Sequence, residues 1–331
     1  MKIARPFIRL PYAFDADRLA EDVEKLPDNA WMVHPAGLRG NSAVPLISRD
    51  GGDNDDFHGS MRTTPYLHGC PYLQQVLASF GEVLGRSRLM KLAPGCEVST
   101  HVDFNYYWYT RVRVHVPITT NAGVIFYCAQ ESLHMKPGES WIFDSWSRHR
   151  VVNGGAEERV HLVIDLAGSS RFWKTVGHMQ QFDPATDAEA LQKHVRQVPC
   201  EPQMPVQIDT ENFNMAPVMS PGELDALVRE LIIDFAGNPQ NDPALVDEYR
   251  DLLTGLAQDW RQLWLRYGYS REGRPHYEAA IEQVRRRLRP NPRALVTASN
   301  EIGVNPVVVQ RILNSLLVQG QLPGLSPGNC P

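Results

Sequence analysis

The run RVRVHVPITTNAGVIFYC occupies residues 111–128 and decides how the centre of this 331-residue chain folds. It begins with strict alternation of cationic and apolar side chains, which is typical of a β-strand with one buried face. The polar turn Asn121-Ala122-Gly123 then leads into a second short apolar run. Similar runs recur between residues 83 and 166, and short strands at this spacing predict a sandwich or jelly roll. The predicted strands are 87–92, 98–104, 107–118, 124–128, 133–136, 140–143, 148–152 and 159–166.

The segments outside this region predict a mixed chain. Residues 3–14 predict an opening strand, followed by helices at 16–26 and 71–80. Helical periodicity returns at residue 221 and predicts three longer helices, at 221–235, 243–267 and 275–288, and two shorter ones. We therefore expect an α+β fold. Its predicted parts are N-terminal α/β elements packing on the core at 1–83, a jelly-roll core at 84–167, a connector at 168–217 and a helical C-terminal domain at 218–331.

The composition is that of an ordinary globular protein. Hydrophobic residues make up 43% of the chain, and the net charge of −5 disfavours non-specific binding to nucleic acid. No apolar run approaches the roughly 20 residues of a membrane span, and the first residues lack the apolar core of a signal peptide. A cytoplasmic location is expected, because the cysteines are scattered and never spaced Cys-x-x-Cys. They are Cys70, Cys96, Cys128, Cys200 and Cys330.

Two histidines and an aspartate suggest a metal site. His101 and Asp103 lie two residues apart, so on a strand they would share a face, and His149 would come from a neighbouring strand. Two imidazoles and one carboxylate are the ligands of a non-haem iron(II) site with open positions. The pair alone is weak evidence in a chain with eleven histidines. The alternative is a surface dipeptide and a separate core histidine.

Two alternating strands suggest an anion site beside this metal. Arg111, Arg113 and His115 would share one strand face, and Arg159 and His161 would share another. Either face could instead be an exposed cationic surface. Arginine suits a partly buried anion site, because its planar guanidinium binds a carboxylate through two hydrogen bonds and keeps its charge.

The order and intervals of these residues resemble the aspartyl/asparaginyl β-hydroxylase family, which includes bacterial hydroxylases of free proline. The resemblance covers residues 84–167 and includes the ten-residue step from His149 to Arg159. It implies a double-stranded β-helix, a cupin-like jelly roll that carries iron(II) and 2-oxoglutarate. The matching motifs are Pro94-Gly95, His101-x-Asp103, Arg111-x-Arg113-x-His115, Pro137-Gly138-Glu139, Phe143-Asp144, His149, Asn153 and Arg159.

The resemblance also implies roles for single residues. His101, Asp103 and His149 would ligate iron(II), and Arg159 would hold the distal carboxylate of 2-oxoglutarate. The remaining roles are Arg113 and His115 near the metal-bound end of 2-oxoglutarate or the substrate carboxylate, and Arg111 at the substrate. The implied activity is that of a dioxygenase that hydroxylates an amino acid, either free or within a peptide or carrier-bound intermediate, and that consumes dioxygen and releases succinate and CO2.

The chain departs from the animal peptide-modifying members of this family at two positions. Those members lack the carboxylate ligand, whereas Asp103 is present here. This favours the bacterial branch, and it favours hydroxylation over halogenation, because halogenases leave that position to chloride. In the same animal members a serine helps to hold the co-substrate, and Met90 occupies that position here.

Further candidates for the substrate pocket are Tyr107, Trp146 and Arg148, although core packing or surface exposure would explain them equally well. Residues 298–302 and 306–319 resemble a helix-turn-helix, but the second segment is mostly apolar, so nucleic-acid binding is disfavoured. The alternative function is a non-catalytic jelly-roll binding module with a helical interaction or regulatory domain. The expected partner is an amino acid or peptide, no membrane partner is expected, and the helices leave room for a homo-oligomer.

Overall fold

Thirteen strands form two sheets in the computed structural model, within the described residues 1–33, 37–201 and 203–318. Predictions that concern residues 319–331, including Cys330 and the end of the last predicted helix, lie outside these ranges. The strands are β1 (Phe7–Phe14), β2 (Met32–Val33), β3 (Asn41–Arg49), β4 (Met61–Thr63), β5 (Leu84–Leu92), β6 (Glu97–His101), β7 (Val112–Thr119), β8 (Val124–Cys128), β9 (Glu131–Leu133), β10 (Glu139–Phe143), β11 (His149–Asn153), β12 (Arg159–Leu166) and β13 (Arg196–Val198).

Helices precede and follow the central strands. Short 3-10 turns form at Asp28–Ala30 and Arg271–Gly273, and a π-helical turn forms at Val308–Leu313. No helix in the described ranges is long and apolar enough to cross a membrane. The α-helices are α1 (Ala16–Glu24), α2 (Pro65–His68), α3 (Pro71–Ser79), α4 (Tyr106–Thr110), α5 (Ser170–Met179), α6 (Ala188–Gln192), α7 (Pro221–Ala236), α8 (Pro243–Tyr267), α9 (Arg274–Arg287) and α10 (Val304–Val307).

The two sheets make the jelly-roll core that the sequence predicts within an α+β chain. The larger sheet has the order β13-β1-β10-β7-β12-β5-β3-β2, with β4 paired to β3, and the smaller sheet has the order β6-β11-β8-β9. Strand β12 lies between β5 and β7 and is antiparallel to both. These three strands therefore present their polar faces side by side.

Side chains alternate along β7, so that apolar residues face the hydrophobic core on one side of the larger sheet and polar residues face the other side. Val114 and Val116 are fully buried in the cluster that also contains Leu19 of α1 and Leu73 of α3. The residue between them, His115, faces the other way and lies 5.3 Å from Phe126 of β8, measured between ring centroids. The polar face of β7, which carries Arg113 and His115, thus points toward the smaller sheet.

The chain divides into two units. One contains Met1–Asp103 and Thr110–Asn214, and the other contains Phe104–Tyr109 and Met215–Pro331. In the second unit, Ser220 and Asp242 cap α7 and α8 through their side-chain oxygens, which is typically worth about 1 kcal/mol per helix. Trp260 of α8 is buried, and its indole N–H donates to the Met219 carbonyl at 2.9 Å. The boundaries predicted at residues 83, 167 and 217 stay predictions.

Three local predictions are wrong. The predicted strand 107–118 is helical at its start, because Tyr106–Thr110 form α4 and β7 begins only at Val112. The predicted strand 98–104 ends at His101, so Asp103 does not lie on a strand. Residues 298–302 are not helical; the Thr297 hydroxyl accepts from the Ile302 N–H at 3.1 Å and closes a turn there.

Candidate metal centre

His101, Asp103 and His149 converge at one place in the jelly roll. Strands β6 and β11 are antiparallel, and their register sets His149 directly opposite His101. The two rings are 4.2 Å apart between centroids. Asp103 follows the end of β6, where its N–H donates to the Ser145 carbonyl at 3.0 Å. One ligand atom from each residue lies within 4.8 Å of the others, which is a spacing that one metal ion could bridge.

Backbone carbonyls fix the tautomers of both histidines. Nδ1 of His101 lies 2.8 Å from the Ser99 carbonyl, and Nδ1 of His149 lies 2.9 Å from the Ser147 carbonyl. A carbonyl can only accept, so each Nδ1 carries the proton and each Nε2 presents a lone pair. The Nε2 atoms lie 3.9 Å from Oδ1 and Oδ2 of Asp103, respectively.

The charges at this place suit a divalent cation. Burial alone would raise the pKa of Asp103, but the charges of Arg113, His149 and His101 outweigh it and lower that pKa. Burial lowers the pKa of His149 to about 4. Near neutral pH Asp103 is therefore a carboxylate and His149 a neutral imidazole, which is the protonation state that metal binding requires of these two residues.

An unsatisfied oxygen supports the same fit. Oδ2 of Asp103 is buried and accepts no hydrogen bond from the described residues. Its nearest cation, Nη1 of Arg113, is 3.8 Å away. A buried carboxylate oxygen normally has a partner, and a metal ion would supply one. The donor set, two imidazoles and one carboxylate, is that of a non-haem iron(II) site with open positions.

A second buried cluster contains Arg159, His161 and His115, whose exposed fractions are 4%, 1% and 5%. Nη2 of Arg159 lies 3.0 Å from Nδ1 of His161, and Nδ1 of His115 lies 3.4 Å from the same atom. Burial lowers the pKa of Arg159 to about 9 and lowers the pKa of both histidines well below its usual value. Near neutral pH the cluster therefore carries one cation and two neutral rings.

Arg159 has no ion pair with a carboxylate of the described residues, and its Nε is buried without a hydrogen-bond partner. A buried cation without a counter-charge is costly. The alternation of β12 correctly predicts that Arg159 and His161 share a face. Together, the charge and the unpaired donor make this cluster chemically suited to an anion.

A third polar group, which sequence reasoning missed, begins on β5. Nη1 of Arg86 lies 2.6 Å from Oδ1 of Asp55, and Arg88 hydrogen-bonds the same oxygen. Asp165 of β12 lies 3.3 Å from Nε of Arg113 and 3.6 Å from Nε of Arg86. The signal for this group was present, because Arg86-x-Arg88 is a third alternating cationic pair. Its carboxylate partner, Asp55, lies in a loop that no periodicity marks.

Arg111, predicted to contact substrate, has an internal partner. Its Nε and Nη2 donate to Oε1 and Oε2 of Glu211 at 2.7 and 2.9 Å, and both side chains are buried. This two-point ion pair argues against a substrate contact and for a structural role, because the guanidinium is already matched by a carboxylate. The substrate role of Arg111 stays an untested prediction.

The other predicted substrate residues differ in burial and in the unit to which they belong. Tyr107 is buried and belongs to α4, in the same unit as the C-terminal helices. Trp146 is buried in the turn between β10 and β11, where its N–H donates to Oδ1 of Asp144 at 3.2 Å. Arg148 is exposed and directly precedes His149. Trp146 and Arg148 therefore belong to the same unit as the triad, and Tyr107 does not.

Comparison with known proteins confirms the family resemblance. Residues 54–168 match the family model described as Aspartyl/Asparaginyl beta-hydroxylase. The L-proline cis-4-hydroxylase of Rhizobium meliloti (strain 1021) is 25% identical over 167 residues, which are 47% of this chain; the chain spans 59% of that relative's length.

Two solved structures are similar over part of the chain. A 2OG-Fe(II) oxygenase family oxidoreductase from Burkholderia pseudomallei has a TM-score of 0.34 at 15% identity, over 45% of this chain and 76% of its own. A prolyl hydroxylase from Trichoplax adhaerens, solved with a hypoxia inducible factor peptide fragment, has a TM-score of 0.36 at 12% identity, over 53% of this chain and 87% of its own.

Proposed function

We propose that this chain, which matches the β-hydroxylase family over residues 54–168, is an iron(II)- and 2-oxoglutarate-dependent dioxygenase that hydroxylates an amino acid, free or within a peptide or carrier-bound intermediate. One observation carries the proposal. The ligand atoms of His101, Asp103 and His149 lie within 4.8 Å of one another, with both imidazole lone pairs fixed by backbone carbonyls.

His101, Asp103 and His149 would hold the iron. Iron(II) with 2-oxoglutarate and dioxygen supplies the oxidising chemistry, with release of succinate and CO2, and the protein contributes binding and orientation. The side chains of His149 and Asp103 are only 3% and 12% exposed, which keeps water away from two of the three ligands. The carbonyl contacts at Nδ1 hold the rings in the orientation that presents Nε2, so the site is arranged before the ion arrives.

The co-substrate would extend from this centre toward Arg159. Its distal carboxylate would neutralise that buried cation, which explains why the described residues provide no carboxylate for it. Arg113, which lies 3.8 Å from Asp103, is placed for the metal-bound end of 2-oxoglutarate or for the substrate carboxylate. His115 follows Arg113 by two residues, and its Nδ1 lies 3.4 Å from Nδ1 of His161.

Candidates for substrate binding remain Arg148 and Trp146, to which we add the pair Arg86 and Arg88, and the substrate role of Tyr107 stays an untested prediction. Both arginines are buried and share Asp55 as a partner. A substrate carboxylate could replace Asp55 between them, because arginine pairs readily with planar carboxylates. The relative from Rhizobium meliloti, whose name specifies L-proline, motivates testing proline first.

The test is a substrate panel. The protein is incubated with iron(II), ascorbate, 2-oxoglutarate and free amino acids or proline-containing peptides, and succinate and a gain of one oxygen in the substrate are measured by mass spectrometry. We expect both signals with at least one amino acid or peptide, and neither signal in His149→Ala. Absence of turnover across the panel, together with absence of iron binding, would reject the proposal in favour of a non-catalytic binding module.

A further inference from the structure

The carboxylate of Asp55 lies between two buried arginines, Arg86 and Arg88, which are two residues apart on β5. Its Oδ1 accepts from Nη1 of Arg86 at 2.6 Å and also from Nη1 of Arg88. The arginine side chains are 2% and 6% exposed, whereas that of Asp55 is 25% exposed. Solvent therefore reaches this cluster at its carboxylate, which comes from the loop between β3 and β4.

Ion pairs connect the arginine pair to the candidate metal centre. Asp165 of β12 lies 3.6 Å from Nε of Arg86 and 3.3 Å from Nε of Arg113. Nη1 of Arg113 in turn lies 3.8 Å from Oδ2 of Asp103. A carboxylate bound at the arginine pair would therefore belong to the same network of charges as a proposed iron ligand.

The contact that Asp55 makes is less complete than that of a structural ion pair in this chain. Arg111 and Glu211 meet through two carboxylate oxygens, and their side chains are 7% and 8% exposed. Asp55 instead presents one oxygen to two guanidinium groups. A carboxylate that is not tethered to the loop could give one oxygen to each arginine, and paired contacts of this kind are the strong ones.

The charge of the cluster also favours an anionic ligand. Within the ranges that the structure describes, Asp55 is the carboxylate at ion-pair distance from Arg88. Burial and the neighbouring charge of Arg86 lower the pKa of Arg88 to about 9. Two adjacent buried cations repel each other, so a better placed negative charge would stabilise both of them.

We propose that Arg86 and Arg88 form a carboxylate-binding subsite, which Asp55 occupies until a substrate carboxylate exchanges with it. The inference rests on the proposed function and narrows its substrate class to molecules with a free carboxylate, such as a free amino acid or the C-terminal residue of a peptide. The side chain of Asp55 would turn into solvent, while its backbone carbonyl keeps the hydrogen bond from Nη1 of Arg86 at 3.0 Å. The exchange therefore requires no opening of the loop.

Chemical rescue tests the subsite before any substrate is identified. Asp55→Ala removes the internal carboxylate, and sodium acetate is the probe, with acetamide and sodium chloride at equal concentration for comparison. Asp56→Ala is the matched control, because Asp56 is the next residue of the same loop and pairs with Arg49 at the surface.

We expect acetate, relative to chloride, to raise the melting temperature of Asp55→Ala by about 2 °C more than that of wild type or Asp56→Ala, because acetate binds the folded state at the vacated arginines. Acetamide should not have this effect, since it carries no charge. Equal responses of Asp55→Ala and Asp56→Ala to acetate would overturn the inference.

A binding measurement tests the exchange itself. Calorimetry on protein loaded with Mn(II) and 2-oxoglutarate compares free L-amino acids, including proline, with their α-carboxamides. We expect at least one amino acid to bind, and its carboxamide to bind about 10- to 100-fold more weakly, as is usual when a hydrogen bond to a charged group is lost. Asp55→Asn should bind that amino acid about 10-fold more tightly than wild type, because no internal carboxylate has to leave first. Asp56→Asn should match wild type.

The inference fails if an amino acid and its carboxamide bind equally, if Asp55→Asn binds the amino acid no more tightly than wild type, or if no free amino acid binds. The first and third of these results come from wild-type protein, so they are informative even if the variants do not fold. The proposed function survives each of them if a peptide or carrier-bound substrate is hydroxylated in the panel. It fails as well if the wild type neither binds iron nor releases succinate.

Discussion

His101 and His149 are direct cross-strand partners in the antiparallel pair β6–β11, with ring centroids 4.2 Å apart. This register converts a long separation along the chain into adjacency in space. A slip of one residue would turn the ring of His149 to the opposite face of the smaller sheet. The candidate metal centre therefore depends on strand register as much as on the identity of its three residues.

The ion pair between Arg111 and Glu211 leads to a first prediction. Both side chains are buried, and removing one partner of such a pair leaves an uncompensated charge. We expect Arg111→Met to lower the free energy of unfolding by about 3–5 kcal/mol. Urea denaturation measures this effect.

A double variant separates structure from substrate binding at the same position. Arg111→Met/Glu211→Met removes both charges, so we expect it to recover most of the lost stability. Its KM for the substrate identified in the panel should equal that of wild type. A KM raised tenfold or more in the stable double variant would restore Arg111 as a substrate contact.

The neutral histidines predict a dependence of stability on pH. His115 and His161 have pKa values held well below the usual value by burial, whereas in the unfolded chain they titrate at about 6.5. Below that pH the unfolded state binds more protons than the folded state, so stability falls as the pH falls. The contribution is fully present above about pH 6.5 and decreases by up to about 1.4 kcal/mol per pH unit for each histidine.

Urea denaturation between pH 7 and pH 5, in the presence of a chelator, measures this slope. His161→Gln removes one of the histidines whose pKa is lowered by burial, so it should reduce the slope by the contribution of one proton. His178→Ala provides the comparison, because it removes a histidine that is exposed and lies outside the buried cluster. Equal slopes for wild type and His161→Gln would show that His161 is not held neutral in the fold.

The turn at Gly138 predicts a steric effect. Gly138 has φ +75, and a Cβ added there would lie 2.1 Å from the carbonyl oxygen of Phe14. Gly138→Ala should therefore cost more than the roughly 1–2 kcal/mol of the left-handed conformation alone. Gly95 is the matched control, because it has φ +66 and open space around the added atom. Thermal unfolding compares the two, and a smaller loss for Gly138→Ala than for Gly95→Ala would contradict this account.

Much of the architecture is predictable from periodicity and local signals. Helix α8 occupies Pro243–Tyr267 as the pattern indicates, because proline stands in its first turn and Gly268 follows its last residue. The alternation of β7 and β12 likewise predicts which side chains share a face. These features depend on neighbours along the chain, which a single sequence displays.

Features that depend on distant partners are not predictable in this way. Aromatic residues favour strands, yet residues 106–110 form a helix. Contacts within the second unit stabilise that helix, since the Tyr109 hydroxyl donates to Glu230 at 2.8 Å and Nε of Arg311 donates to the Phe104 carbonyl at 3.1 Å. No local pattern marks Glu230 or Arg311 as partners of this segment.

The candidate site also contains residues that the sequence identifies and contacts that it does not. His101, Asp103, His149 and Arg159 are recognisable from residue type and spacing. The hydrogen bond from Arg159 to His161 is not, because alternation places both on one face without fixing how their side chains meet. The pairing of Arg111 with Glu211 is also hidden, since 100 residues separate them.

We propose that His101, Asp103 and His149 form one iron site that organises 2-oxoglutarate binding. Anaerobic titration with iron(II), with and without 2-oxoglutarate, measures this on wild type, His149→Ala and the surface variant His68→Ala. We predict a single iron per chain in wild type and His68→Ala, and a loss of affinity in His149→Ala greater than the roughly 10- to 100-fold that removal of an outer-shell partner causes. Iron binding of equal strength and stoichiometry in all three proteins would contradict the claim.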